Sequence, residues 1–193
     1  VTGAGATETP DGFPREADGY ERLWTPHRMV YVDGPAKVTS TTERECPFCT
    51  GPRGPDADAL IVHRGRTCFV ALNLFPYNPG HLLVCPYRHV PDLTTMTAAE
   101  RAEAIELVTT GIEVLRAAKR PTGFNTGMNT GEGAGAGIAG HAHLHVVPRW
   151  DGDANFLPII ARTKALPELL GDTREQLAAA WPTGGEESAD GPR

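Results

Sequence analysis

The chain has 193 residues, with 24 acidic against 18 basic side chains and a formal net charge of −6. That length holds one sizeable core, and the acidic balance argues against a broad nucleic-acid-binding surface. No apolar run approaches the roughly 20 residues of a membrane helix, and four cysteines are too few for a disulfide scaffold, so a reducing, cytoplasmic setting is expected.

In chain order, residues 1–18 are rich in Gly, Thr, Pro and acid, lack the apolar stretch of a secretory signal, and read as a disordered tail. The ordered domain is expected over 19–181, opening with RLWTPHRMVYV (22–32), and 182–193 reads as a second disordered tail. Residues 59–64 and 66–74 read as paired strands around Arg64-Gly65, followed by a turn cluster, FPYNPG (75–80), and a strand, HLLVCP (81–86). From Thr97 to Lys119 the spacing predicts a helix. Thr97 and Glu100 form a capping box, and Ile105, Val108, Ile112 and Leu115 recur at helical intervals. Pro121-Thr122-Gly123 ends it. FNTGMN (124–129) is strand-like, a glycine-rich loop covers 131–140, and 167–181 reads as a terminal helix bearing Leu169, Leu170 and Leu177. Short strands before and after one long helix indicate an α+β domain with a largely antiparallel sheet.

Three of the seven histidines stand on alternate positions in HAHLHVVPRW (141–150). On a strand, His141, His143 and His145 would share one face, and Ala142, Leu144 and Val146 the other. That row leaves metal ligation and catalysis both open. GAGIAG (135–140) has the spacing of a dinucleotide fingerprint, but a histidine strand follows where a helix is required, so that reading fails. A glycine-rich turn can still present backbone N–H groups to a phosphate. CPFC (46–49) is compatible with a redox pair or half of a zinc site. Cys68 and Cys85 sit in apolar strands and read as buried, inert thiols. NPGHLLVCPYRH (78–89) carries His81 and His89; His27 and His63 have no supporting pattern.

Taken together, His141-Ala-His143-Leu-His145-Val-Val and the upstream NPGHLLVCPYRH resemble the two motifs of the histidine-triad (HIT) superfamily, over about residues 20–181. LWTPHRM, LNLFPYNPGH and HVVPRWDGDANF look closer still to its actinobacterial diadenosine tetraphosphate phosphorylase group. The resemblance implies a five-stranded antiparallel sheet with one long and one C-terminal helix. It implies that His143 attacks an α-phosphorus to form a nucleotidyl-histidine, with His145 and His81 binding or orienting around the phosphate. Asn73 and Leu74 would meet the nucleoside, and Asn129 with Gly135, Ala136 and Gly137 would line the nucleotide pocket. Cys46, Cys49, His89 and His141 would hold a structural zinc.

The implied reaction is phosphorolysis of a dinucleoside polyphosphate by inorganic phosphate, in a cytoplasmic homodimer that binds neither nucleic acid nor membrane. The alternatives are a hydrolase or phosphoramidase, a nucleotidyltransferase with a specialised acceptor, or a non-catalytic nucleotide-binding protein. Many superfamily hydrolases carry a serine three residues before the triad; Ile138 stands there in this chain. Arg149 and Trp150 fit either the site or a structural brace.

Overall fold

The computed structural model describes residues 42–153 and 168–182. The expected start at 22–32 and both tails, apart from Pro182, lie outside these residues. In chain order the elements are a one-turn helix α1 (Pro47–Thr50), a 3-10 turn (Gly51–Arg53), β1 (Ile61–Arg64), β2 (Cys68–Leu72), β3 (Leu82–Pro86), α2 (Ala98–Lys119), β4 (Gly123–Gly127), a 3-10 turn (Glu132–Ala134), β5 (Leu144–Arg149) and α3 (Leu170–Ala180). The strands form one sheet in the order β1-β2-β3-β5-β4, and every neighbouring pair is antiparallel.

The central strands read as continuous apolar runs because both of their faces are covered. In β2, Val70 and Leu72 face one cluster while Phe69 and Ala71 face another; in β3, Leu82 and Val84 separate from Leu83 and Cys85 in the same way. The first cluster is completed by Leu107, Val114 and Leu115 of α2 and by Leu177 of α3. The second, on the opposite face, is smaller and is met by Phe48 of α1.

Helix α2 starts where the capping box expects it. Thr97 accepts from Glu100 N, and Glu100 accepts from Thr97 N at 2.7 Å. Of the expected stripe, Leu115 is buried and Val108 and Ile112 pack half-buried on the core, but Ile105 departs from it. Ala104, Leu107, Gly111, Val114 and Leu115 are buried, while Ile105 is 55% exposed. Small residues set this stripe. A Cβ on Gly111 would lie 3.2 Å from Leu82 Cδ1, so the helix sits against the sheet where its side chain is smallest. Leu169 is likewise exposed, and Leu177 is the buried contact of α3.

The histidine segment also differs from a simple strand. β5 begins at Leu144, so His141 and His143 lie in the segment just before it. The alternation of faces survives: Ala142, Leu144 and Val146 join the helix-side core. The histidine side is not solvated, since His141 and His143 are buried. Pairing explains where His145 points. Ala71 opposes Leu83, Leu83 opposes His145, and His145 opposes Gly127, one row across the sheet on the face of the smaller cluster.

Candidate active site and metal cluster

Two histidine arrangements stand side by side on that face. In the first, a backbone carbonyl fixes the tautomer of His143. Its Nδ1 lies 2.8 Å from the carbonyl oxygen of His141. A carbonyl only accepts, so Nδ1 carries the proton and Nε2 holds a lone pair. Burial lowers the pKa of His143, which keeps the ring neutral and that lone pair available near neutral pH.

The second arrangement is a chain of donors. The Tyr77 N–H donates to His81 Nδ1 at 3.1 Å, so His81 carries its proton on Nε2. That atom lies 2.9 Å from His145 Nδ1, which must accept. His145 therefore carries its own proton on Nε2, the one buried side-chain polar atom without a partner among the described residues. Burial, with His143 beside it, pushes the pKa of His145 down to about 4, so this ring is a neutral donor. The rings of His143 and His145 are 5.1 Å apart, so a ring with a lone pair on Nε2 and a ring with an unpartnered Nε2–H are neighbours. His81 is fully buried and acts on this place through His145.

Gly80 makes the turn that delivers His81. Its φ is +81°, a conformation side chains resist, and a Cβ there would come within 3.0 Å of Leu115 Cδ2. Asn73 Nδ2 is 3.3 Å from His81 Nδ1, and Asn73 Oδ1 accepts from Phe75 N, so both ends of its amide are engaged inside the loop. Tyr77 stacks over His145 at 5.9 Å.

His141 faces the other way. Its Nε2 lies 2.9 Å from Pro86 O, so Nε2 carries the proton and Nδ1 is left with a lone pair. That atom is 3.4 Å from Cys46 Sγ and 3.3 Å from Cys49 Sγ, and His89 Nδ1 is 3.3 Å from Cys49 Sγ. The four ligand atoms lie within 4.8 Å of one another. The ligand–ligand edges of a tetrahedral zinc with two sulfurs and two nitrogens would be about 3.5 Å, so the set fits a metal ion of that kind. Pro86 O supplies the orienting partner that metal-bound histidines ordinarily have. Burial, reinforced by Cys46, pushes the Cys49 thiol up to about 12; a cation between the four groups would favour the thiolate instead. Cys68 and Cys85 lie apart from this cluster, with burial raising the first to about 11 and the second further.

A cavity of about 490 Å³ opens on the same face; its lining holds no histidine but includes Phe48, whose ring meets His143, and Leu83, which opposes His145. Its floor is Phe69, Ala71 and Leu83, and its wall includes Phe48 and Leu60. The size and apolar lining suit a nucleoside-sized group. Of the residues expected to meet a nucleotide, Asn73 and Leu74 line it; Asn129, Gly135, Ala136 and Gly137 do not, and Ile138 is the contribution of the glycine-rich loop. The N–H groups of Gly135 and Ala136 already donate within that loop, to Glu132 O and Gly131 O, so neither is presented to a phosphate in this conformation. Arg149 and Trp150 are braces. Arg149 grips Asp153 with two bonds and reaches Asn125, and Trp150 Nε1 donates to Lys119 O at the end of α2. His63 stacks on Trp181, away from the cluster.

Sequence reasoning missed Phe48, Tyr77 and the wall made by Ile138. A signal existed for the first. A residue between two cysteines that turn toward one point has to project away from it.

The HIT domain family model matches residues 55–152. An AP-4-A phosphorylase of Mycobacterium tuberculosis (strain ATCC 25618 / H37Rv) is 46% identical over 182 residues, covering 91% of this chain and 93% of that protein. Among solved structures, a Zn-bound histidine triad family protein from Mycobacterium smegmatis superposes with a TM-score of 0.58 at 25% identity, covering 72% of this chain and 95% of that one. A hypothetical histidine triad nucleotide-binding protein from Sulfolobus tokodaii shares the fold at a TM-score of 0.57 and 22% identity, over 70% and 91% of the two chains. With its paired histidine arrangements and its matched domain, the chain belongs to the HIT family.

Proposed function

We propose that the protein is a nucleotidyl-transferring enzyme that phosphorolyses dinucleoside polyphosphates. The observation that carries this reading is the complementary pair of neighbouring rings: His143 with its lone pair on Nε2 and His145 with its proton on Nε2. The likeness to the mycobacterial AP-4-A phosphorylase supports the choice of substrate.

In the first step His143 Nε2 attacks the α-phosphorus of a nucleoside seated in the cavity. The N–P bond forms, and the bond from that phosphorus to the bridging oxygen breaks. The charge on His143 in the adduct is stabilised by the bond from its Nδ1–H to His141 O. The departing oxygen takes a hydrogen bond from His145 Nε2–H, whose acceptor side is held by His81. In the second step an oxygen of inorganic phosphate attacks the same phosphorus, the N–P bond breaks, and the lone pair returns to His143. From diadenosine tetraphosphate the products are ATP and ADP.

Cys46, Cys49, His89 and His141 would hold a structural zinc, which when bound ties α1 to the ends of β3 and the histidine segment. The donor set supports this, as does the zinc in the M. smegmatis relative. A homodimer is proposed as well. β4 is an edge strand with Asn125, Thr126 and Gly127 exposed, and among the described residues no strand pairs with its outer side. No helix among the described residues is long and apolar enough to cross a membrane, consistent with the proposed cytoplasmic setting.

The test is product analysis with diadenosine tetraphosphate, with and without inorganic phosphate. ATP plus ADP formed only with phosphate is the expected result. AMP plus ATP in both tubes would make water the acceptor and the protein a hydrolase.

A further inference from the structure

We propose that Phe48 is a positioning residue for His143, an inference that rests on the adduct chemistry just described. A single hydrogen bond at Nδ1 tethers one atom of the His143 ring but does not by itself fix the plane of that ring. The Phe48 ring lies 5.2 Å from it, tilted by 43°, while His145 meets it edge-on from 5.1 Å. Held between these neighbours and tied at Nδ1, the ring keeps Nε2 aimed at one place. Such aromatic contacts have directional preference as well as apolar area.

The local sequence explains why Phe48 can do this. One helical turn sets Cys46 and Cys49 near a common side, and each intervening residue is rotated by roughly 100° from the next. Phe48 therefore leaves the metal cluster sideways. Its ring touches His141 edge-on at 5.5 Å, packs on the small cluster of Phe69, Ala71 and Leu83, and forms part of the cavity wall. One side chain thus contacts a metal-ligand candidate, the nucleophile candidate and the nucleoside cavity. In the short α1 helix that carries it Cys49 is buried and Phe48 half-buried, so the pose of Phe48 is set by the cluster on one side and the cavity on the other.

The experiment compares wild-type protein with Phe48→Ala, Phe48→Leu and Phe48→Tyr, all zinc-loaded, in single-turnover formation of the His143 adduct from diadenosine tetraphosphate. The expected result is a rate at saturating substrate about 100-fold lower for Phe48→Ala. Phe48→Tyr recovers most of that loss, Phe48→Leu falls between, and the half-saturating concentration changes less than the rate. A rise in half-saturation with an unchanged saturating rate would make Phe48 a cavity wall only and would overturn the proposal.

A second measurement needs no substrate. Nuclear Overhauser contacts between the His143 and His145 rings should be strong in the wild type and weakened in Phe48→Ala, with the Nδ1–H tautomer set by His141 O the same in both proteins and zinc content unchanged. Ring-to-ring contacts of equal strength in both proteins, or loss of zinc from the variant, would overturn the positioning role. A wild-type protein that forms no adduct would remove the dinucleoside polyphosphate reading, and the imidazole spectra would then decide the role of Phe48 alone.

Discussion

On one face of the sheet, Val70, Leu72, Leu82, Val84 and Val146 meet α2 and α3 in a continuous aliphatic layer. On the other, Phe69, Ala71, Leu83 and Cys85 make a smaller cluster that runs out into a cavity and into the histidines. The same strands build both, because alternate residues point to opposite sides. The helix face supplies most of the buried apolar area and hence most of the cohesion. The site face keeps open volume and buried imidazoles, which add little to stability. Cohesion and chemistry are therefore separable by substitution, and the two faces should respond in opposite ways.

The largest expected effect lies on the site face. His143→Asn removes the lone pair while leaving a side chain of moderate size, so turnover should fall by at least about 1,000-fold, near 4 kcal/mol of barrier. Its melting temperature should stay close to that of the wild type. Trapping of labelled nucleotide on the denatured protein provides the check, and a labelled adduct in the variant would remove His143 from its proposed role.

The next effect lies on the helix face. Leu115 is fully buried against the sheet, so Leu115→Ala should cost roughly 2–5 kcal/mol in denaturant unfolding. The folded fraction should keep its half-saturation for substrate. A large change in that value would mean that the two faces are mechanically coupled.

A smaller and inverse effect comes from Ala71, on the cavity floor. Ala71→Leu grows into empty volume, so stability should move by less than about 1.5 kcal/mol. Nucleotide affinity, read by calorimetric titration, should fall by about tenfold or more, since the added atoms occupy space meant for ligand. Unchanged affinity would place the nucleoside elsewhere.

The smallest expected effect separates the helix terminus from both faces. Glu100 accepts two bonds of 2.7 Å from Arg88, and chiefly for that reason its pKa falls from 4.5 to about 2. A carboxyl lowered on folding stabilises the protein above its unfolded pKa and loses that contribution as pH drops toward the folded value. Arg88 is half-exposed and screened by solvent, so Glu100→Gln should cost on the order of 1 kcal/mol at neutral pH. The difference from wild type should vanish between about pH 5 and pH 2, and chemical unfolding at several pH values would show it. A difference that persisted at pH 2 would mean the loss comes from packing.

Much of this was legible in the sequence because the informative residues are chemically loud. Three alternating histidines, a Cys-x-x-Cys and a capping box each announce a geometry, and the sites at 46, 49, 89 and 141 do converge. The quieter determinants escaped. Ala104 and Gly111 set the buried stripe of α2 by being small, whereas a search for apolar periodicity favours larger side chains such as Ile105. The inward bonds of Gly135 and Ala136 depend on backbone torsions that residue identity alone leaves open. The contact of Phe48 with His143 joins positions 95 residues apart, and only the tertiary fold brings them together. Of the residues expected to meet a nucleotide, Asn73 and Leu74, just past the end of a strand, line the cavity, whereas Asn129, Gly135, Ala136 and Gly137 do not.

His141 offers a last consequence. Its imidazole looks toward the cysteines, while its carbonyl oxygen sets the tautomer of His143. Every amino acid brings that oxygen to the position, so the tautomer of the His143 ring does not depend on which side chain stands at 141. A lineage could exchange the ligand chemistry there, or abandon it, and inherit the His143 ring with its proton still on Nδ1. The two tasks share a residue without sharing a gene-level constraint, which makes the cross-link the more freely evolvable of the two.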